Sequence, residues 1–183
     1  MSTAGTSRMR HQQSSAGFTL VELLITLVIL AILVTIGVPS FADIIRNNRV
    51  TAQSNELLAL LWVARSEAVK RKEDVTVAII RPVSGGWTAV VCPQASLTGF
   101  ACAAAEVIRR SDHEGGAVEI ADSSNPIAMP PFLFRFDDLG RIVQAPVAPL
   151  ALQHQNCVAP KTHRRELSFT GSGTMSISSE DCQ

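Results

Sequence analysis

The stretch GFTLVELLITLVILAILVTIGV, residues 17–38, decides the fold. From Phe18 to Val38 it runs for 21 residues whose only charge is Glu22. About 20 apolar residues rising ~1.5 Å each cover the hydrocarbon core of a bilayer, so a helix here can span one. Residues 1–16 are polar, carry Arg8, Arg10 and His11, and contain no acidic residue, which suits a cytoplasmic flank under the positive-inside rule. An ordinary secretory signal would have a shorter apolar region ending in a small-residue cleavage site. Here the apolar run continues through Gly37 and Pro39 into a further helical pattern, so the segment reads as an anchor.

Glu22 is what a bland anchor does not explain. An acidic side chain inside a spanning helix costs about 2.5–3.5 kcal/mol on insertion scales, and such residues usually have a cationic partner. The stretch GFTLVELL, residues 17–24, resembles the class III signal of type IV pilins and type II secretion pseudopilins: a Gly before the cut, an aromatic residue after it, and Glu at the fifth mature position. The resemblance implies that a prepilin peptidase cleaves between Gly17 and Phe18 and methylates the Phe18 amine. It also implies that Glu22 pairs with the N-terminal amine of a neighbouring subunit. Two charges in hydrocarbon offset each other's desolvation only when subunits meet at the right stagger, so the pair would set filament register. Residues 1–17 are then a leader, slightly longer than the shortest of its kind, and residues 18–38 the transmembrane or filament-core helix. Pro39, at mature position 22, also matches a pilin-like position, and its missing N–H predicts a kink or local melting.

Beyond Pro39, residues 39–72 continue at helical spacing, with Leu57, Leu61, Ala64 and Ala68 on one face and Arg46, Arg49, Arg65 and Arg71 expected on a solvated one. Glu67 and Arg71 form an i,i+4 pair. From residue 73 the period changes to two. Strands are expected at 74–81 and 87–92 around Pro82, Gly85 and Gly86, then at 106–110, 117–121, 132–136, 141–143, 166–170 and 174–178. Residues 144–164, with Pro146, Pro149 and Pro160, have no clear period and read as a long surface loop. The sheet needs an apolar cover, and the amphipathic half of the helix is the nearest. The fold expected is α+β: a long N-terminal helix packed on an antiparallel β domain spanning 73–183. NELLALLWVARSEAVKR, residues 55–71, with the hairpin carrying Trp87 and with FDDLGR at 136–141, is similar to the GspH/FimT family of minor pilins and pseudopilins.

Sixteen basic and sixteen acidic residues balance, so no global field draws the chain onto nucleic acid or anionic lipid. Cys92, Cys102, Cys157 and Cys182 all follow the apolar segment, and an even count beyond an export signal reads as two disulfides in an oxidising compartment. Four cysteines allow three connectivities. Sequential pairing, Cys92 with Cys102 and Cys157 with Cys182, closes the two shortest loops and is preferred. His11, His113, His154 and His163 show no metal-ligand spacing and no adjacent nucleophile, and no phosphate-binding loop or hydrolase motif is present. No cofactor, metal or catalytic residue is expected.

Some members of the resembled family are similar to DNA-uptake receptors whose C-terminal G-R-x-R motif grips phosphates. Here the region reads TGSGTMSISSEDC, residues 170–182, without arginine and with Glu180 and Asp181, which counts against DNA. Lys161, Arg164 and Arg165 remain as weak point contacts to phosphate. The resemblance implies a minor pilin or pseudopilin, not an enzyme, with a DNA-binding minor pilin as the alternative. Its implied partners are other pilins or pseudopilins, the prepilin peptidase, an inner-membrane assembly platform, and membrane lipid before assembly. The implied location is the bacterial inner membrane, single-pass, with the C-terminal domain in the periplasm, and then a pilus or pseudopilus.

Overall fold

The computed structural model describes residues 18–123, 131–161 and 163–182, with the side chain of Pro39 left out. The chain divides into two units, Met1–Phe41 and Ala42–Gln183. A single helix, α1 (Leu20–Arg71), contributes to both, and its helical assignment continues through Pro39. The expected local melting is therefore not seen. The expected leader, residues 1–17, including Gly17, lies outside the described residues.

In the first unit every large apolar side chain from Phe18 to Phe41 is exposed. Polar groups inside this stretch are satisfied locally. The hydroxyls of Thr26 and Thr35 donate to the carbonyls of Leu23 and Ile32, each at 2.8 Å, which hides them from an apolar surrounding.

The second unit packs the remainder of α1 beneath antiparallel strands: β1 (Val75–Ile80), β2 (Gly86–Pro93), β3 (Leu97–Thr98), β4 (Ala101–Cys102), β5 (Arg109–Glu114), β6 (Val118–Asp122), β7 (Phe132–Phe136), β8 (Ile142–Gln144), β9 (Leu150–His154), β10 (Arg164–Phe169) and β11 (Met175–Glu180). One sheet has the order β5-β2-β1-β7-β8, a second β11-β10-β9-β6, and β3 and β4 form a small hairpin. Val50, Leu57, Leu60, Leu61, Ala64 and Ala68 of α1 are buried in one core with Val75, Val77 and Ile79, the phenylalanines of β7, and Ile120, Leu150, Leu152 and Leu167 of the second sheet. The helical spacing of the first set and the period-two spacing of the others are the two faces that have to meet. The helix stops after Arg71, where Lys72 takes the left-handed conformation (φ 56°) and the Glu73 N–H returns to the Ala68 carbonyl at 3.3 Å in a Schellman-type stop.

β2 is buried along its whole length, which explains why Ala89–Cys92 reads as a continuous apolar run. One of its faces meets α1, and the other faces the segment that Cys92 ties down through Cys102. Three expectations change. The loop expected over 144–164 contains β9, an interior strand paired on both sides, with Leu152 opposite both Ile120 and Arg165. Its LALQH sequence carries no alternation because nearly all of it is buried, and Leu and Ala are weak β-formers. The strand expected at 106–110 starts later, at Arg109, after a single 3₁₀ turn over Ala104–Glu106. Arg65 is not on a solvated face. It donates to the Gly173 carbonyl at 3.0 Å and lies over the Trp62 ring, stapling the helix to the β10–β11 turn.

The tightest backbone approach is at Gly86, where φ is +76° and an added Cβ would sit 2.0 Å from the His113 carbonyl oxygen. Gly86→Ala adds strain of about 1–3 kcal/mol for the positive φ to an overpacking cost of about 1–3 kcal/mol. The expected outcome is a lower melting temperature than that of Gly85→Ala, where the φ is also positive but nothing lies within 4 Å. Equal melting temperatures for the two variants would refute the close approach.

Candidate functional site

The distinctive chemistry lies at the start of α1. Thr19 caps the helix, its hydroxyl accepting the Glu22 N–H at 3.2 Å. Thr-x-x-Glu is the spacing of a capping box, and a carboxylate in the first turn faces the positive end of the helix dipole. Glu22 is the only acidic residue of that turn, and no partner for its carboxylate is found among the described residues. Phe18, 82 % exposed, directly precedes this cap. Among the described residues one helix is long and apolar enough to cross a membrane, its most apolar window having a mean hydropathy of 2.8 and no buried share.

Within the second unit the structure gathers titratable groups that sequence spacing does not reveal. Glu56 of α1 accepts the Ser111 hydroxyl, and His113 Nε2 lies 3.0 Å from the other Glu56 oxygen and 3.2 Å from the Ser111 hydroxyl. Hydrogen bonding from Ser111, then from His113, holds the Glu56 carboxyl below its ordinary range against the opposing effect of burial. The expectation that no histidine neighbours a nucleophile is thus corrected, because Ser111 and His113 share a face of β5 at a spacing of two. The arrangement is not a catalytic relay. A relay needs the acid on the second ring nitrogen, orienting a base that takes the serine proton. Here the serine proton already points at the carboxylate, and Glu56 and Ser111 meet the same ring nitrogen. The three groups clamp α1 to an edge strand, and beside them the buried Trp87 indole donates to Gln53 of α1 at 2.9 Å.

Lys161, Arg164 and Arg165 are close in sequence but do not form a common cationic surface. The Lys161 ammonium donates to both Asp43 oxygens at 2.8 and 2.9 Å. Arg164 is 5 % exposed and donates to the Ser123 carbonyl at 3.2 Å. Arg165 reaches Asn47 and Thr51 of α1 at 2.9 and 3.0 Å and Ser179 at 3.0 Å. Two of the three are structural ties between β10 and its neighbours, and the third is ion-paired. Among the described residues no cluster of His, Cys, Asp or Glu suits a metal ion.

The cysteines pair as Cys92–Cys102, with Cα atoms 6.1 Å apart, and Cys157–Cys182, 5.3 Å apart. The first bond closes the loop over the outer face of β1 and β2. The second joins the turn after β9 to the residue beyond β11. Asp137 and Gly140 make the β7–β8 turn, with the Asp137 carboxylate accepting the N–H groups of Leu139 and Arg141 at 3.1 and 2.8 Å. The FDDLGR segment is therefore turn chemistry.

Comparisons agree with this architecture. Residues 12–38 match the prokaryotic N-terminal methylation motif, and residues 53–173 match the type II transport protein GspH family. A fimbrial protein of Pseudomonas aeruginosa is 36 % identical over 66 residues, covering 36 % of this chain and 43 % of that protein. The chain thus spans less than half the length of that relative. Two crystal structures of the type IV minor pilin FimU from Pseudomonas aeruginosa PAO1 share the fold at 20 % identity. Their TM-scores are 0.51 and 0.52, covering 74 and 72 % of this chain and 95 and 98 % of theirs. With a methylation-motif helix leading into a matched domain that takes up well over half its length, the chain belongs to the GspH family.

Proposed function

We propose that this chain is a minor pilin or pseudopilin, a structural subunit of a type IV pilus or type II secretion filament that helps to start assembly. The observation that carries the reading is the first unit. It has a capped helix with every large apolar side chain exposed and a lone carboxylate in its first turn, inside the stretch that matches the N-terminal methylation motif. Such a helix needs either lipid or other helices around it. Glu22 needs a cation, and the amine that cleavage would create on Phe18 of a neighbouring subunit is one. In this reading a prepilin peptidase cuts after Gly17 and methylates Phe18. The chain waits in the inner membrane with its C-terminal domain in the periplasm, and once it is cleaved an inner-membrane platform draws it into the filament beside other subunits. A kink at Pro39 would help the apolar half enter the filament, because the missing N–H leaves the Thr35 carbonyl unpaired within the helix. Nucleic acid is a poor partner, since Arg164 and Arg165 are committed internally.

Mass spectrometry of the N-terminal peptide from assembled protein should show monomethylated Phe18. An intact Met1 on filaments would sink the proposal. Glu22→Ala should reach the membrane normally, because it removes an insertion cost, yet assemble about fivefold to a hundredfold less efficiently, matching about 1–3 kcal/mol for an amine left unpaired. Normal assembly of that variant would show that Glu22 has no register role. Duplex DNA should bind only at low salt, with a slope of about −1 as expected for one phosphate contact, from Lys161. Micromolar binding at physiological salt would instead favour a DNA-binding subunit.

A further inference from the structure

The turn after β9 surrounds a buried imidazole that only one protonation state fits. His154 is 7 % exposed, and its Nδ1 accepts the Asn156 N–H at 3.1 Å, so that nitrogen carries no proton and the ring is neutral. The same residue's carbonyl accepts the Cys157 N–H at 2.9 Å, and its N–H donates to the His163 carbonyl at 3.2 Å. The segment that follows is fastened at three further points. Cys157 is bonded to Cys182, the Lys161 carbonyl accepts the Cys182 N–H at 2.8 Å, and the Lys161 ammonium holds Asp43 of α1. We propose that residues 155–161 form a proton-sensitive clasp on α1, closed while His154 is neutral and loosened when it is protonated.

The geometry gives the mechanism. A second proton on the ring must go to Nδ1, where the Asn156 N–H already points, so protonation replaces a hydrogen bond with two facing donors. The charges around the ring oppose it too. The positive charges of Arg46 and Arg49 of α1 and the buried His163 act on it, and the Asp43 carboxylate of α1 is shared between Lys161 and Arg46 at 2.8 and 3.2 Å. From β6 the opposing residue is Val118, and the adjacent Glu119 is held by Arg81 at 2.6 Å. From β10, Arg164 is occupied by the Ser123 carbonyl and lies 3.8 Å from Glu166. Burial first, then the charges of Arg46, His163 and Arg49, keep the imidazole below its ordinary value. With the clasp open the ring returns toward about 6.5, so the open form binds more protons in the window just below that value. Closure is therefore complete above this window and is lost as the pH falls through it. This inference does not depend on the filament reading.

The experiment is hydrogen exchange on the full-length protein in detergent micelles between pH 7.5 and 5.0, corrected for intrinsic rates. Protection at the Asn156, Cys157 and Lys161 amides should fall by up to about tenfold per pH unit below about 6.5, whereas amides of β1 and β2 stay protected. In His154→Asn, whose δ oxygen sits where Nδ1 does and can accept the same N–H two residues on but does not titrate, the three amides should keep their protection in acid. Unchanged protection at Asn156 in the wild type, or an equal acid loss in His154→Asn, overturns the clasp. Should that variant not fold, nitrogen NMR of the wild-type ring still decides the matter. A neutral ring protonated only on Nε2 at pH 7 is expected, and a proton on Nδ1 refutes the proposal.

Discussion

The rest of the structure depends on the fact that the first half of α1 has no cover of its own. Each large aliphatic or aromatic side chain left in water forgoes about 1.5–3 kcal/mol. Across the exposed run from Phe18 to Phe41 this amounts to tens of kcal/mol, a sizeable fraction of the roughly 100 kcal/mol hydrophobic term of a domain. No rearrangement of one such helix can recover that sum, because apolar residues occupy all of its sides. The stretch demands a bilayer or a bundle of like helices. Glu22 adds a selective condition, since lipid alone satisfies the leucines but not the carboxylate.

The second half of the same helix shows the opposite arrangement. One face is buried under both sheets, and the flanks are fastened by polar ties of different kinds: Gln53 to the Trp87 indole, Glu56 to Ser111 and His113, Arg65 to the Gly173 carbonyl, Asn47 and Thr51 to Arg165. Each tie satisfies groups that burial would otherwise leave costly, and together they fix the rotation of α1 against the strands. The two disulfides act where there is least core, on the segment over β1 and β2 and on the turn after β9. By constraining the unfolded chain they favour the folded form of segments rich in loop. Family membership and the FimU-like fold rest on this second unit, whereas the proposed assembly chemistry resides in the first.

Sequence by itself determined the elements whose physics is local or repetitive. The apolar run with one acid, the switch from helical to alternating period near residue 73, the turns at Gly85–Gly86 and Asp137–Gly140, and the Glu67–Arg71 pair are all visible as spacing, because neighbours in sequence are neighbours in space. The tertiary structure alone decided what depends on distant partners. β9 became an interior strand because β6 and β10 lie on either side of it, a fact that no periodicity in LALQH records. Arg164 and Arg165 became internal ties instead of surface charges because β10 pairs between β9 and β11 and passes α1. The Glu56–Ser111–His113 clamp and the buried His154 needed residues more than fifty and more than a hundred positions away from Glu56 and Arg46, respectively, to be brought together. Charge and hydroxyl chemistry act over a few ångströms, and only the packed chain says which groups come within that reach.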